Sequence, residues 1–510
     1  MKSEYIFTFI LWSLLLLIGV LPVLWMFYHL FGNLTTLDIS NFSGSLTAFQ
    51  NSLFLALSVA TLTTFIGTAL GVLFAKSDLP FKGVFLILLI IPLLIPPYIL
   101  ALGWIDILGV KGWLGEFLFG FGGTTWVLFT VYLPIPILMI SFFLQQIDPS
   151  LEESARLFTK EKQVLRYILL PLIKPVILLS FILVFILTFG EYSVANVLRF
   201  RVFALESFTQ FSAFYDFQAA IVMSLPMLLI ALAVILIERY YIQKHLFSYQ
   251  NAQKYYHMKL PGSTKRLFTL LVLFLVSLIV IVPLFGLLKE VHSWHYFMTA
   301  LDKASLPLLH SILFGLVSAV LLMLFGFCYA YMLISKKYMG SNILDTILLF
   351  LFILPSTVIG IALIYFWNTP YTQFVYTTPL IILMGYLAKY ILLTTKITQT
   401  KLRLIPSSMT EAAQLTGATL LQTIRYILIP LSKKVLIVSF LVGLIFSLRE
   451  STLTMMLYPP GFETLPVYIT TQMANGEPQI IASLCLLMIL LILIPLMVLL
   501  LTFRRENDTL

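Results

Sequence analysis

Two pairs of glutamates are the residues in this chain whose type and spacing point to chemistry. Glu191 and Glu450 stand 259 residues apart, each in the outer half of a long apolar run. A carboxylate at that depth costs roughly 2.5–3.5 kcal/mol on insertion scales, so it needs a partner or a water-filled route. Lining a path near an outer gate and bonding between helices are both open to them. Arg449 adjoins Glu450, but neighbours on a helix project about 100° apart, so the two need not pair. The second pair leads two polar loops. Glu153-Ser154-Ala155-Arg156-Leu157-Phe158-Thr159 runs on to Ile168-Leu169-Leu170-Pro171. Glu411-Ala412-Ala413-Gln414-Leu415-Thr416-Gly417 runs on to Ile427-Leu428-Ile429-Pro430, 258 residues later at the glutamates. An acidic residue in a first helical turn meets the positive end of the helix dipole. The alanines leave a narrow face for close packing, and Gly417 permits a turn that other residues resist. Pro171 and Pro430 end the element before the next span.

Catalytic constellations are missing. The sequence has no Gly-Lys dipeptide, hence no Walker-A phosphate loop, and no His-Glu-x-x-His. His292 and His295 have a spacing that suits a metal, but an outer aromatic-polar belt explains them better. No resident metal and no cofactor in the chain itself are expected.

The elements that position these residues are membrane spans. Of 510 residues, 60% are hydrophobic and only 10% charged, against about 25% charged in a soluble domain. Spans of about 20 residues are expected at 5–28, 51–75, 83–105, 125–145, 175–198 and 217–240. A second set is expected at 267–289, 310–334, 343–366, 377–398, 434–457 and 479–503. The first run exceeds a signal-peptide core and reads as a retained span. Pro92, Pro96 and Pro97 should break the third span, and Pro355 the ninth. The expected fold class is an all-α polytopic membrane protein of about twelve helices in two direct six-helix repeats. The division is 1–245 for the first half, 246–263 for a cytoplasmic linker containing Tyr249, Tyr255 and Tyr256, and 264–510 for the second half. Cys328 and Cys485 both fall within spans, so no disulfide framework is expected.

Of the 31 Lys and Arg residues, 24 fall in segments on one side of this arrangement and five on the other. The positive-inside rule places both termini and both glutamate-led loops in the cytoplasm. The net charge of +9 then reflects topology, and no nucleic-acid partner is expected. The halves repeat beyond the loops. Asn51-Ser52 matches His310-Ser311, Pro22 matches Pro283, and Pro92 matches Pro355, all at offsets close to 260. A direct repeat of six spans keeps both halves in one orientation, which argues against inverted-repeat secondary transporters.

The paired loops resemble the Glu-Ala-Ala ("EAA") loop of ATP-binding-cassette (ABC) importer permeases, in which Glu-Ala-Ala-x-x-x-Gly precedes Ile-x-Leu-Pro. The first copy departs from that pattern at Ser154 and Thr159. The resemblance implies a fused permease with the type I importer fold, in a bacterial inner membrane. It implies that two copies of a cytoplasmic ATPase, which hold the ATP and its magnesium, engage Glu153, Ser154, Ala155, Thr159 and Pro171 in one loop. In the other they engage Glu411, Ala412, Ala413, Gly417 and Pro430. An extracytoplasmic binding protein delivers substrate, membrane lipid surrounds the spans, and Glu191, Glu450 and Arg449 are path candidates. Phe189-Gly190-Glu191-Tyr192, Val197-Leu198-Arg199-Phe200 and the segment from Leu457-Tyr458-Pro459-Pro460 to Thr464-Leu465-Pro466 look similar to ferric-iron permeases. Fused thiamine permeases share a Thr-Leu-Pro segment, so thiamine or another small solute is the alternative substrate. A secondary transporter or a membrane scaffold is the alternative class.

Overall fold

The computed structural model describes residues 2–32, 43–109, 113–242, 259–335 and 340–507. The expected linker up to residue 258, with its three tyrosines, lies outside the described residues. All regular elements among the described residues are helices. Ten are long and apolar enough to cross a membrane, and two bent pairs bring the number to twelve if each pair is one span. The protein is a multi-pass membrane protein.

Prolines shape these helices as their chemistry requires. Proline lacks an N–H and its ring collides with the carbonyl four residues back, so the ladder before it must open. The segments Leu16–Val20, Leu165–Leu169, Ser277–Ile281 and Ile424–Leu428 are π-helical turns. Each ends two residues before a proline: Pro22, Pro171, Pro283 and Pro430. A wider turn accommodates the missing donor without breaking the span. The third and ninth spans do break. Lys82–Leu94 and Pro97–Leu108 meet at 100°, and Ser341–Ile353 and Ser356–Trp367 at 105°. The breaks fall at Ile95-Pro96 and Leu354-Pro355, where the residue before proline is driven into extended backbone. Pro92 is buried inside its helix and makes no break of its own.

Contacts divide the chain into two compact units, and neither is continuous in sequence. One comprises Met1–Asp38, Ser207–Leu228 and Val291–Leu510; the other comprises Ile39–Glu206 and Leu229–Glu290. Within the first unit, Leu21–Gly32 packs on Ser356–Trp367, and the Tyr329 hydroxyl donates to the Leu11 carbonyl at 2.8 Å. Within the second, Val282–Glu290 packs on Pro97–Leu108 so closely that a Cβ on Gly103 would lie 2.3 Å from the Pro283 carbonyl oxygen. Asp78 accepts from the Leu260 N–H and the Lys265 ammonium, both at 2.9 Å. Those bonds, the backbone one foremost, hold its carboxyl down at about 2.

The direct repeat is visible in matched contacts. Ser52 Oγ accepts from the Phe203 N–H at 2.7 Å, and Ser311 Oγ accepts from the Leu465 N–H at 2.7 Å.

Candidate functional site

The two loops form corresponding short helices, each followed by a helical turn, a π-helical turn and a proline-led span. In the first loop Asp148 caps Pro149–Arg156 by accepting from the Ser150 N–H at 2.9 Å. That bond keeps its carboxyl below the ordinary carboxylate range. Glu153, Ser154 and Thr159 are exposed, and Ala155 is half-buried. In the second loop Ser407–Leu415 presents Glu411 and Ala412 to the surface and half-buries Ala413. Leu157 is 80% exposed and Leu415, at the matching position, 90%. Arg166 lies over the Tyr167 ring and Arg425 over the Tyr426 ring, each at 5.7 Å, with both tyrosines exposed. Each loop therefore presents an acidic helix, a bare leucine and an arginine–tyrosine pair in the same order.

The departure at Thr159 has a geometric reason. Gly417 is left-handed, with φ of 84°. Around it the Ala418 N–H bonds the Ala413 carbonyl and the Gly417 N–H bonds the Gln414 carbonyl, both at 3.0 Å. Those two bonds are the Schellman ending that favours glycine. In the first loop the N–H groups of Phe158 and Thr159 both bond the Ala155 carbonyl, at 3.1 and 3.0 Å. Thr159 has no positive φ, so no glycine is needed there.

Beside Glu153 stands Glu152, which turns the other way. Glu152 is fully buried. Its carboxylate takes the ammonium of Lys76 from the end of the span Ser45–Lys76, and the Arg156 guanidinium stands 3.6 Å away. Removing one partner of a buried ion pair costs about 3–5 kcal/mol, because it strands the other charge. Only the run of adjacent glutamates hinted at this pairing.

Glu191 and Glu450 lie at breaks between helices rather than within them. Helix Leu170–Phe189 ends just before Glu191, and Ser193–Val197 follows. Helix Ile429–Arg449 ends just before Glu450, and Thr452–Leu457 follows. Glu191 accepts from the Ser193 N–H at 2.7 Å and from the Ser193 hydroxyl. Glu450, which is buried, accepts from the Leu453 N–H at 3.0 Å and from the Tyr390 hydroxyl. Each carboxylate thus caps the short helix beyond its break, satisfying N–H groups that such a start leaves open. Arg449 rests over the Phe446 ring at 5.4 Å.

Behind Glu450 lies a polar cluster that the sequence did not announce. Tyr386 and Thr454 bond through their hydroxyls at 2.8 Å. Lys389 is buried and donates to the carbonyls of Phe352 at 3.0 Å and Leu354 at 2.5 Å. Those carbonyls end the first arm of the bent pair, so the ammonium closes the negative end of a broken helix. The corresponding helix of the first repeat has no cation there: Val131 stands at the loop's offset of 258, and beside it the Thr130 hydroxyl bonds the Val127 carbonyl of its own helix at 2.7 Å.

Glu450→Gln keeps an acceptor for Leu453 and Tyr390 but removes the charge, and a hydrogen bond to a charged group is worth about 1.5–3 kcal/mol. The transport that the loop resemblance implies should fall in Glu450→Gln and, less steeply, in Glu191→Gln, whose carboxylate is only half-buried, with yield and assembly retained. Uptake assays beside quantified membrane expression check this. Loss of insertion in either variant would assign the carboxylates to structure alone.

An all-helical, multi-pass chain with two repeats, each carrying a polar loop helix ahead of a proline-led span, has the architecture of a transport permease. Residues 67–246 and 323–506 match the family of binding-protein-dependent transport system inner membrane components, and the chain belongs to that family. It is the permease subunit of an ABC importer. The chain is 23% identical over 462 residues to the ferric transport system permease protein FbpB of Actinobacillus pleuropneumoniae, covering 84% of this chain and 67% of that one. It is 24% identical over 421 residues to the putative ferric transport system permease protein FbpB 1 of Haemophilus influenzae, covering 76% and 66% respectively. The chain therefore matches about two thirds of the length of these relatives. Membership of the family implies partners of two kinds, an ATPase and a substrate-binding protein.

Proposed function

We propose that this chain translocates ferric iron handed over by an extracytoplasmic binding protein, with ATP hydrolysed on two copies of a cytoplasmic subunit. The observation that carries the coupling part of this reading is the matched pair of loop helices. An exposed acidic turn, a bare leucine and an arginine–tyrosine pair recur in the same order in both. A lone exposed leucine is ordinary; its recurrence at one position of two matched polar loops is what supports a shared partner surface. Two such contacts in one chain fit two ATPase subunits, with Glu153, Ser154, Ala155, Thr159 and Pro171 on one arm and Glu411, Ala412, Ala413, Gly417 and Pro430 on the other. Glu191, Glu450 and Arg449 remain the path candidates.

Support for iron comes from the names of the two ferric permeases above, and hard oxygen donors such as Glu191 and Glu450 suit a ferric ion in transit. The test is uptake into vesicles holding the reconstituted complex, with ATP inside and the binding protein outside, offered iron(III) or thiamine. ATP-dependent accumulation of iron but not thiamine supports the reading; the reverse would transfer the chain to thiamine import.

The same reading places both loops and both chain ends on the cytoplasmic side, following the 24-to-five split of basic residues. A reporter fused after Lys265 or after Arg504 should read as cytoplasmic, and one near Glu206 or Gly461 as external. Reversal at any of the four sites would break the direct repeat of six spans and the docking of both loops on cytoplasmic subunits.

A further inference from the structure

The outer corners of the two repeats share one backbone bond and differ in the side chains around it. In the first, the Asn51 amide donates to the Arg201 carbonyl at 3.0 Å, two residues before the Phe203 N–H that Ser52 accepts. In the second, His310 Nδ1 stands 3.0 Å from the Glu463 carbonyl, two residues before the Leu465 N–H that Ser311 accepts. A carbonyl oxygen only accepts, so Nδ1 carries the proton and donates, and Nε2 keeps a lone pair. Phe314 stacks on the imidazole at 5.6 Å and Phe462 flanks it at 5.6 Å, which fixes the ring. Beyond the shared bond the corners diverge. Arg201 closes on Glu206 at 2.9 Å in the first. The matching positions in the second hold Glu463 and Tyr468. There His310, Glu463 and Tyr468, all half-buried, line a cleft of about 280 Å³ that the exposed Lys303 also borders. Burial first, and then the Glu463 carboxylate, holds the Tyr468 phenol above its ordinary value, so these two side chains lie in each other's field.

We infer that this cleft is an entry station for the cargo ion, which takes iron(III) through His310 Nε2, the Glu463 carboxylate and the Tyr468 phenolate. The inference rests on the reading of the chain as an iron permease and on the topology that puts both corners outside. It names where the ion first meets the chain. A metal-ligating imidazole is normally oriented by a bond from its other nitrogen to a carbonyl or carboxylate, as His310 is. Carboxylate and phenolate are hard anionic oxygens, which suit a ferric ion. Coordination displaces the phenol proton to water and leaves the remaining positions on the ion to water or to groups of the delivering protein. Asparagine serves the backbone bond in the first repeat; histidine serves it in the second and adds a ligand nitrogen. Lys303 opposes a cation in the cleft, which gives the test a sign.

The test titrates the intact complex, without ATP or binding protein, with iron(III) nitrilotriacetate and reads visible absorption. A phenolate-to-iron charge-transfer band should appear and saturate with a single iron, and Tyr468→Phe should remove it. His310→Asn keeps a donor for the Glu463 carbonyl and should weaken binding at least about tenfold, with the unfolding temperature unmoved. Lys303→Met removes a repelling charge and should tighten binding about threefold. If His310→Asn fails to assemble, Tyr468→Phe and Lys303→Met carry the test. No band in the unmodified complex overturns the site, as does a band that survives Tyr468→Phe. Weaker iron binding in Lys303→Met also overturns it, and would make the cleft a pocket for an anionic group. Uptake separates this site from the transport reading. A complex that imports iron while its cleft shows no band loses only the site, whereas one that imports thiamine and not iron loses both.

Discussion

Lys389→Met should abolish transport and lower the thermal stability of the purified chain. The Lys389 ammonium is buried and is the donor for the carbonyls of Phe352 and Leu354, at 3.0 and 2.5 Å. Each buried acceptor left without a donor costs about 1–3 kcal/mol, and methionine fills the same volume with no donor at all. The bend of 105° between Ser341–Ile353 and Ser356–Trp367 then loses the group that closes it. Glu450, which caps the adjacent break, loses a nearby compensating charge. Lys389→Gln retains two donors and should recover part of the stability. Thermal unfolding in detergent, read beside uptake, decides this. A methionine variant as stable and active as the parent would reduce Lys389 to a snorkelling cation. Thr130→Val, in the corresponding helix of the first repeat, removes only a hydroxyl bond within one helix and should be close to neutral.

Gly417→Val should cut transport about tenfold, and Thr159→Val should leave it near the parent level. A left-handed backbone costs an ordinary L-residue about 1–2 kcal/mol, and a β-branched one resists it further. The cost at Gly417 is conformational alone, since a Cβ there would meet nothing within 4 Å. Valine would unwind the two-bond ending that turns the chain from Ser407–Leu415 towards Leu420–Thr423. Thr159→Val forfeits one exposed bond to the Ala155 carbonyl, worth a fraction of a kcal/mol at the surface. Uptake by the two variants at equal expression checks the difference. Equal losses would mean that the glycine is not what shapes the second loop.

Much of the fold was legible because hydrophobicity and repetition are local signals. The apolar runs marked the spans, and Pro96 and Pro355 marked both broken ones, because proline acts on its own neighbours. The loops were legible through the matched order from Glu153 to Pro171 and from Glu411 to Pro430. What stayed hidden depends on distant pairing. Which of Glu152 and Glu153 turns inward is set by the phase of a short helix against Lys76, a contact spanning 76 residues. Lys389 is, in the sequence, only a charge inside a span; its role rests on the end of another helix lying against it. Glu191 and Glu450 were read inside spans because the apolar composition continues past the helix ends at Phe189 and Arg449. Hydropathy does not record a break that carboxylates cap. The grouping of Ile6–His29 with the later part of the chain is likewise invisible to periodicity.

The most direct test of the coupling reading is recovery of the ATPase with the purified chain, unmodified and with Glu153→Lys and Glu411→Lys singly and together. The unmodified chain should bring down two ATPase copies and transport substrate. Each single reversal should weaken recovery and transport, and the double reversal should abolish both, with the binding protein still taking up its ligand. Undiminished ATPase recovery and transport in the double variant would contradict the assignment of these helices as the coupling elements.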